Sequence, residues 1–464
     1  MSQLTTPSIE TVAGDAMSQA LRDRQFEGNI LLPGSAEYES ARRVWNGMID
    51  RHPALIAQCL TDDDVVAAVN VARTQGALLS IKAGGHGVSG KAICDDGLVI
   101  DLSLMKGITV DPASRRAHAQ SGVLWGEFDA ATLQHGLAIT GGTDSTTGIA
   151  GLTLGGGHGW LEGTLGLSID SLLSVDVVTA DGVLRHASET EEPDLFWAMR
   201  GAGANFGVVT SFEFKLHPFS GTVLGGMIIY PRAMLSDVLK LYREFKKTEP
   251  DELITYAAML TLPGGPPVVA FIPCYNGDLQ AGEEAIAPLR ALGEPMIDTV
   301  APMPYSAMQQ LLEAGILPNL QNYWKSGLGI EISDGAIEVL ADFLPRVPSP
   351  ITVIAFVDFH GASRRVSSTA TANPFRDASY ELVMLGMWED PADADQNITW
   401  LRELFSAVEP HLLDATYVNS LDGDEGISGV RRAYGENYPR LAALKNRYDP
   451  ANLFRMNQNI PPAG

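Results

Sequence analysis

Glycine is concentrated in one stretch of this chain. The sequence contains 47 glycines, and the densest groups lie between residues 83 and 207. They form three loops, KAGGHGVSG at 82–90, GGTDSTTG at 141–148 with its continuation GGGHG at 155–159, and GAGANFG at 201–207. Because glycine has no Cβ, successive amides can point into one concavity and cradle a phosphate group. The stretch is therefore predicted to be built on close backbone approach, either as tight turns or as a ligand site.

A nicotinamide dinucleotide site is one alternative, because GAGANFG approximates its glycine fingerprint. That fingerprint opens a helix whose N-terminus faces the pyrophosphate. Here the chain continues as VVTSFEF at 208–214, which is β-branched and alternating, and the first loop likewise leads to a strand-like GLVIDLS at 97–103. The pattern disfavours a Rossmann site and predicts that loop amides face the ligand. The spacing alone does not name that ligand.

Composition limits the class of protein and its partners. At 464 residues the chain is about three times the ~150 residues typical of one domain. A 45% hydrophobic and 19% charged composition indicates a globular protein, and a net charge of -24 disfavours nucleic acid and anionic membranes as partners. The three cysteines favour a reducing compartment and exclude a thiolate metal cluster, so no metal is expected. The start, MSQLTTPSIETVAGD, shows no leader pattern, and we expect a cytoplasmic protein.

Local patterns predict an α+β fold. The acidic residues 62–64 precede an apolar helical pattern that ends at Gly76. Strand-like runs follow at LLSIK, GLVIDLS, SVDVVTA and VVTSFEFKL. From about residue 221 the glycines thin out, and the runs VLGGMIIY, ITYAAMLTL, PPVVAFIPCY and ITVIAFVDFH alternate with helical segments at 234–247 and 279–292. This second region is predicted to be an antiparallel sheet with helices.

Five motifs in order carry a resemblance to a known family. They are SIKAGGHGVSG, GGTDSTTGIAGLTLGGGHGWL, VDVVTADG, PDLFWAMRGAGANFGVVTSFEFKL and YDPANLFRMNQNIPP. The chain resembles the bacterial berberine-bridge-enzyme-like FAD-linked oxidases of the vanillyl-alcohol-oxidase superfold from residue 44 to its terminus. The resemblance implies a PCMH-type FAD-binding domain at 1–220 that is completed by 415–464. It also implies a substrate domain at 221–414, with an antiparallel sheet flanked by helices.

The resemblance also assigns the cofactor residues. His86 takes the position that bonds covalently to the 8α-methyl carbon of FAD, whereas without the resemblance it would be a polar loop residue. Many relatives form a second covalent bond through a cysteine where this chain has Asp144. We therefore expect one covalent bond only, through His86, and we expect this bond to form without the Asp144 carboxylate. The other residues expected to hold FAD are Lys82, Gly84, Gly85, Gly87, Ser89, Gly90, Gly142, Thr143, Asp144, Thr147, Gly148, Gly151, Gly156, Gly157, Gly159, Asn205, Gly207, Val209, Asn457 and Gln458.

By this resemblance the protein is expected to be an enzyme that transfers a hydride equivalent from a small hydroxylated molecule to flavin N5. The substrate would be a sugar-like alcohol or a secondary-metabolite intermediate. Thr147 takes the family's gate position, where a small residue is associated with oxygen access, so O2 is the expected electron acceptor. Alternatives are a dehydrogenase, an oxygenating flavoenzyme and a flavin-binding protein without catalysis. We expect a monomer or a homodimer.

Three residues are candidates for the catalytic base. Tyr417 is near the flavin in the family pattern, but a phenol needs a neighbouring cation to ionise near neutrality, and Lys325 is the candidate cation. In ITVIAFVDFH, strand alternation places Asp358 and His360 on one face with Ile354 and Phe356. This face is either a wall of the active site or part of a strand that ends at the surface.

Further side chains are assigned to the pocket or to the surface. His158 and Trp160 are candidates for the pocket lining. Arg432, Arg440 and Lys445 are predicted to form a solvated helix face.

Overall fold

The computed structural model describes residues 9–463. The expectation about the start of the chain rests in part on residues 1–8, which lie outside that range. Within it, no helix combines the length and the apolar character needed to cross a bilayer.

The glycine loops connect the strands of two sheets. The first sheet has the order β1-β2-β4-β3, with β2, β4 and β3 parallel, and the second is antiparallel with the order β5-β6-β10-β8-β9. Strands β7 and β11 form a separate pair. These strands are β1 (Asn29–Leu31), β2 (Leu55–Gln58), β3 (Leu79–Lys82), β4 (Leu98–Asp101), β5 (Ile108–Asp111), β6 (Arg116–Gln120), β7 (Leu137–Ala138), β8 (Leu172–Thr179), β9 (Leu184–Ser188), β10 (Gly207–Lys215) and β11 (His217–Pro218).

A nine-stranded antiparallel sheet follows, as the sequence predicts. Its main path runs β16-β13-β15-β14-β19-β20-β18, and β12 pairs with β15 and β17. The strands are β12 (Thr222–Gly225), β13 (Ile228–Pro231), β14 (Leu253–Thr261), β15 (Pro267–Tyr275), β16 (Ile297–Asp298), β17 (Ala301–Pro304), β18 (Gln321–Gly329), β19 (Val353–Asp358) and β20 (Tyr380–Trp388).

The α-helices cover these sheets and follow the local end signals. The Thr61 hydroxyl accepts the Asp64 amide at the start of α3, and Gly76 ends that helix with a φ of 67°. The helices are α1 (Ile9–Arg22), α2 (Tyr38–Ala41), α3 (Asp62–Gln75), α4 (Trp125–Leu133), α5 (Ile149–Gly155), α6 (Glu162–Leu165), α7 (Pro193–Ala202), α8 (Leu235–Phe245), α9 (Leu279–Ile286), α10 (Tyr305–Gln309), α11 (Asp334–Phe343), α12 (Ala394–Val408), α13 (Gly426–Tyr434) and α14 (Tyr438–Tyr448).

The two faces of the large sheet have different neighbours. One face packs on α8, α11 and α12, and it includes Ile354 and Phe356. The other face includes Ala355, Val357 and Tyr256, and it packs on the 160–161 segment that follows the second glycine loop. Since side chains alternate along a strand, Ala355 and Val357 are the residues of β19 that face the glycine loops. The predicted wall of Ile354 and Phe356 is wrong, because those side chains fill the core under the helices.

Buried polar contacts tie the large sheet to the first two sheets. The amide of Asn46 donates to the carbonyl oxygens of Val88 and Asn322 at 2.8 and 2.9 Å, and its oxygen accepts the Asn322 amide. The guanidinium of Arg376 binds both carboxylate oxygens of Asp170 at 2.8 and 2.9 Å. These contacts position the large sheet over the glycine loops.

A buried lysine of the C-terminal segment, Lys445, binds this segment to the third glycine loop. The ammonium of Lys445 is fully buried, donates to the carbonyl oxygens of Asn205 and Phe454 at 2.7 and 2.8 Å, and pairs with Asp449 at 2.8 Å. The prediction that Lys445 lies on a solvated face is therefore wrong. Arg440, one turn away, is about half exposed, with 47% of its side chain accessible.

Replacement of Lys445 by methionine should strongly destabilise the protein. The change leaves the Asp449 carboxylate buried without its cation, which typically costs about 3–5 kcal/mol. The measurement is urea unfolding followed by circular dichroism. Arg447→Gln is the control, because that pair is 57% exposed at the arginine and exposed pairs contribute about 0–1 kcal/mol. Equal unfolding midpoints for the two variants would contradict this prediction.

Candidate active site

The first and second glycine loops touch each other through their backbones. A Cβ on Gly84 would lie 2.6 Å from the Gly148 nitrogen, and a Cβ on Gly148 would lie 2.8 Å from the Gly84 nitrogen. Neither position therefore accepts a side chain. By contrast, a Cβ on Gly87 or Gly151 would meet no atom within 4 Å. The two loops thus form a closed seam at Gly84 and Gly148, whereas the backbone at Gly87 and Gly151 is open to approach.

His86 lies at this seam with its ring held in place. Its imidazole stacks on Trp45 with 4.7 Å between ring centroids and 19° between planes. Trp45 in turn makes an edge contact with Trp324 of β18 at 5.6 Å. His86 Nε2 is buried without a hydrogen-bond partner in residues 9–463, and it lies 3.7 Å from Asp144 Oδ2.

Asp144 presents an ionised carboxylate to this imidazole. Burial alone would raise its pKa, but His86 and the two donors of Thr146 outweigh burial and hold the pKa below its usual value. The Thr146 amide and hydroxyl both donate to Oδ1, at 2.7 and 2.6 Å. A histidine and a carboxylate from two separate loops therefore form one unit.

The tail and the third loop bind each other. Asn205 donates to the Gln458 carbonyl at 3.2 Å and accepts the Ile460 amide at 2.8 Å. Asn457 donates to the Ala204 carbonyl at 2.6 Å, while its own oxygen is buried without a partner in the described residues. Lys91 donates to the Gln458 side chain at 2.6 Å, which brings the end of the first loop to the same place.

The other predicted cofactor residues fall into three groups. Lys82 donates to the Ala41 carbonyl at 2.6 Å, so its ammonium is already engaged. Ser89, Thr143 and Thr147 are half-buried on the loops. The remaining residues pack closely or have a positive φ, and they are Gly85, Gly90, Gly142, Gly156, Gly157, Gly159, Gly207 and Val209.

These features fit FAD. The backbone at Gly87 and Gly151 is open to close approach by a ligand, and binding through loop amides suits a phosphate group in a protein of net charge -24. The unpaired Nε2 of His86 and oxygen of Asn457 are buried polar atoms that a ligand or a small movement has to satisfy. His86, Gly87, Gly151 and Asn457 are the residues that would hold the cofactor.

Tyr417 is buried where the tail meets the second loop. Its phenol oxygen accepts the Gly157 amide at 2.7 Å and the Asn419 side-chain amide at 3.0 Å. Burial nevertheless raises the pKa of this phenol well above its ordinary value. The ring of His158 lies 5.3 Å from the Tyr417 ring, and burial lowers the pKa of His158 to about 4, so this histidine is neutral. Trp160 stacks on Tyr256 of the large sheet at 4.5 Å.

Lys325 is not the cation that Tyr417 was predicted to need. In the register of the sheet Lys325 is opposite Met384, which belongs to the core under the helices. Its ammonium binds Asp424 at 2.8 Å and Glu425 at 2.5 Å. Tyr417 is therefore a neutral phenol at neutral pH.

Glu381 is a buried acid that the sequence reasoning missed. It lies in β20 opposite Leu328 of β18 and Val357 of β19, on the face that looks toward the glycine loops. Both carboxylate oxygens are buried without a hydrogen-bond partner in residues 9–463. Burial raises its pKa to about 7, although the nearby hydroxyls of Ser420 and Ser326 favour the ionised form. A pKa near neutrality suits a catalytic base.

The sequence contained one signal for Glu381. It is the single charged residue in the apolar run YELVMLGMW at 380–388. The sequence analysis predicts no strand over residues 380–388, and it therefore gives Glu381 no place in the site.

Asp358 and His360 belong to a separate buried cluster. The Asp358 carboxylate is fully buried and pairs with Lys246 of the helix-side layer. His360 Nδ1 lies 3.1 Å from Asp358, and its Nε2 lies 3.1 Å from the Pro250 carbonyl. Their polar atoms are engaged with one another, so the geometry favours Glu381 over them as the base.

Comparison with known proteins places this site in a family. Residues 53–188 match the model of an FAD binding domain, and residues 416–461 match the model "Berberine and berberine like". An FAD-linked oxidoreductase of Dictyostelium discoideum is 32% identical over 94% of this chain and 95% of its own. The chain belongs to the berberine-bridge-enzyme-like FAD-linked oxidoreductases. It is therefore an FAD-dependent enzyme, and the predicted α+β, PCMH-type fold is confirmed.

Two further relatives have named substrates. The (R)-6-hydroxynicotine oxidase of Paenarthrobacter nicotinovorans is 30% identical over 95% of this chain and 98% of its own. The solved xylooligosaccharide oxidase of Myceliophthora thermophila is 26% identical, with a TM-score of 0.85 over 97% of this chain and 100% of its own. One fold thus serves both an alkaloid and a sugar oxidase.

Glu381→Gln should change how the stability of this oxidoreductase depends on pH. The folded-state pKa of about 7 lies above the ordinary 4.5, so the acid favours folding below pH 4.5 and that contribution is lost as the pH rises to 7. Relative to Glu381→Gln, the wild type should lose roughly 3 kcal/mol across this range, since one pKa unit is about 1.4 kcal/mol.

The measurement is urea unfolding from pH 4.5 to pH 8. Glu389→Gln, at an exposed position just after the same strand, is the control and should show a constant difference from the wild type. A constant difference for Glu381→Gln as well would contradict the assigned environment.

Proposed function

We propose that this protein is an FAD oxidase that holds its cofactor through one bond to His86 and oxidises a small, largely apolar hydroxylated molecule. The proposed FAD domain comprises residues 1–220 and 415–464, and the proposed substrate domain comprises residues 221–414. The observation that carries the proposal is the buried, unpaired carboxylate of Glu381, which faces the glycine loops from an otherwise apolar wall.

The wall favours one of the two substrate classes expected from the sequence. Beside Glu381 the sheet presents the apolar side chains of Leu328, Val357 and Val383. The hydroxyls of Ser326 and Ser420 are the nearby polar groups. A sugar carries many hydroxyl groups, and each one buried without a partner costs free energy. A secondary metabolite with one hydroxyl group on an apolar skeleton fits this wall, whereas an oligosaccharide does not.

The side chains divide the chemistry between them. When bound, FAD supplies the acceptor for the hydride equivalent. Glu381, with a pKa of about 7, takes the proton of the substrate hydroxyl. The Tyr417 oxygen accepts two hydrogen bonds, so its own O–H is oriented and can donate to the substrate oxygen. The apolar wall excludes water and strengthens these interactions.

Two further assignments are part of the proposal. Thr147, half-buried in the second loop, leaves room for O2 to reach the flavin, as the family resemblance implies. The three cysteines are free and buried, which supports a reducing, cytoplasmic location. A monomer or homodimer stays a prediction.

His86→Ala should abolish covalent attachment of FAD. After precipitation with acid, the yellow colour should stay in the wild-type pellet and move to the supernatant for the variant. His118→Ala is the control, because that imidazole is 62% exposed and far from the glycine seam in the register of β6. Loss of colour from the wild-type pellet would contradict the covalent bond.

Glu381→Gln should slow reduction of the flavin by about a hundredfold or more, as expected for loss of a general base. The measurement is anaerobic bleaching of the flavin absorbance with the best substrate from a panel of apolar alcohols and oligosaccharides, and peroxide release in air confirms O2 as acceptor. Asp358→Asn is the matched variant, and its reduction rate should stay near that of the wild type.

Two results would overturn this function. If Asp358→Asn slowed flavin reduction as much as Glu381→Gln, the result would favour Asp358, a candidate predicted from the sequence, as the catalytic base. Flavin that stays oxidised with every compound of the panel would favour a flavin-binding protein without catalysis.

A further inference from the structure

We propose that Asp144 promotes the covalent attachment of FAD by holding the Nε2–H of His86, so that Nδ1 forms the bond to the 8α carbon. In this role Asp144 is a positioning residue. The inference rests on the proposed bond through His86, and it reverses the expectation from sequence that Asp144 takes no part in that bond.

The first observation is the relation between the two side chains. Asp144 Oδ2 lies 3.7 Å from His86 Nε2, and Nε2 is buried with no hydrogen-bond partner elsewhere in residues 9–463. A buried ring nitrogen without a partner is costly, and a charged acceptor is the partner that a small rotation of the imidazole provides. Once this contact closes, the ring proton is on Nε2.

The second observation is the way in which Asp144 is held. The amide and the hydroxyl of Thr146 both donate to Oδ1. A turn that needs only a capping side chain is satisfied by that one oxygen. Oδ2 is left over, and it is the oxygen that faces His86. The carboxylate therefore has one oxygen for the loop and one for the histidine.

The third observation is the restraint on the imidazole. Trp45 stacks on one face of the ring, and the Trp45 amide donates to the Gly85 carbonyl at 3.0 Å, next to His86 in the chain. Nδ1 of His86 has no hydrogen-bond partner among the described residues. Unlike Nε2, it is not a buried atom, so Nδ1 is accessible. A proton fixed on Nε2 leaves the Nδ1 lone pair available as the nucleophile.

The bond formation can be written with its atoms and electrons balanced. A bond forms between His86 Nδ1 and the 8α carbon, and one C–H bond of that methyl group breaks. One proton leaves the carbon and a second leaves Nε2 toward Asp144. The two electrons pass into the flavin ring, and O2 takes them up with two protons as hydrogen peroxide. The carboxylate stabilises the positive charge that develops on the imidazole before Nε2 loses its proton.

The test measures attachment and not turnover. Protein freed of cofactor is mixed with FAD in air, and the covalent fraction is followed by flavin fluorescence in denaturing gels. Asp144→Asn should attach FAD on the order of tenfold more slowly or worse, as is typical when the carboxylate that orients a functional histidine is lost. The covalent fraction is expressed per FAD bound, which separates attachment from binding.

Asp111→Asn is the matched control. Its carboxylate caps a turn in the same way, accepting the amides of Ala113 and Ser114, but it is bonded to no histidine in the described residues. Its attachment rate should equal that of the wild type. Asp144→Ser is the second variant, because a serine retains a cap for the turn while it removes the charge. It should be slow as well, whether or not Asp144→Asn folds.

The position of the bond gives an independent readout. NMR of the flavin peptide from the wild type should show the link at Nδ1. Attachment at Nε2, or a wild-type rate in both Asp144 variants, would overturn the inference. A covalent flavin that survives in His86→Ala would instead refute the proposed function on which it rests, so the two failures are distinguishable.

Discussion

The backbone contact between Gly84 and Gly148 is the constraint on which the site depends. Each loop occupies the space that a side chain of the other would need. This contact brings His86 of one loop within 3.7 Å of Asp144 of the other. The same region is tied to the large sheet by the stacking of Trp45 between the two parts of the molecule. A substitution at either glycine would therefore separate the histidine, the carboxylate and the wall of the site together.

Pairing distinguishes two buried ion pairs from the carboxyl group of Glu381. Lys445 with Asp449 and Lys246 with Asp358 are buried pairs, and each charge has its counterion. Such pairs hold segments together at a high desolvation cost. Glu381 has no counterion and no direct hydrogen bond within the described residues, and its pKa moves to about 7 because of burial. An acid of this kind is costly for stability, and in the proposed function its role in proton transfer accounts for that cost.

In the proposed function, the large sheet determines which substrates the site accepts. In the proposed function, the glycine loops and the tail form the cofactor half of the site, and residues 53–188 and 416–461 match the two family models. The opposite half of the proposed site is a sheet face whose alternate residues line it, so substitutions on one face of β19 and β20 are expected to change the substrates that are recognised. On that face Val357 and Val383 are apolar, and Glu381 lies beside them with the hydroxyl groups of Ser326 and Ser420 nearby.

The sequence by itself determined the features that depend on neighbouring residues. The helix end at Gly76, the strand after the third glycine loop and the glycine loops themselves are local signals, and the five motifs in their order were sufficient to identify the family and FAD. Tertiary structure decided the rest. Alternation along β19 showed that Ile354 and Phe356 share a face, but which face meets the helices depends on the whole sheet. The burial of Lys445, the position of Glu381 on the loop-facing side of the large sheet and the pairing of His86 with Asp144 all join segments that are distant in sequence, and a local pattern contains no information about such contacts.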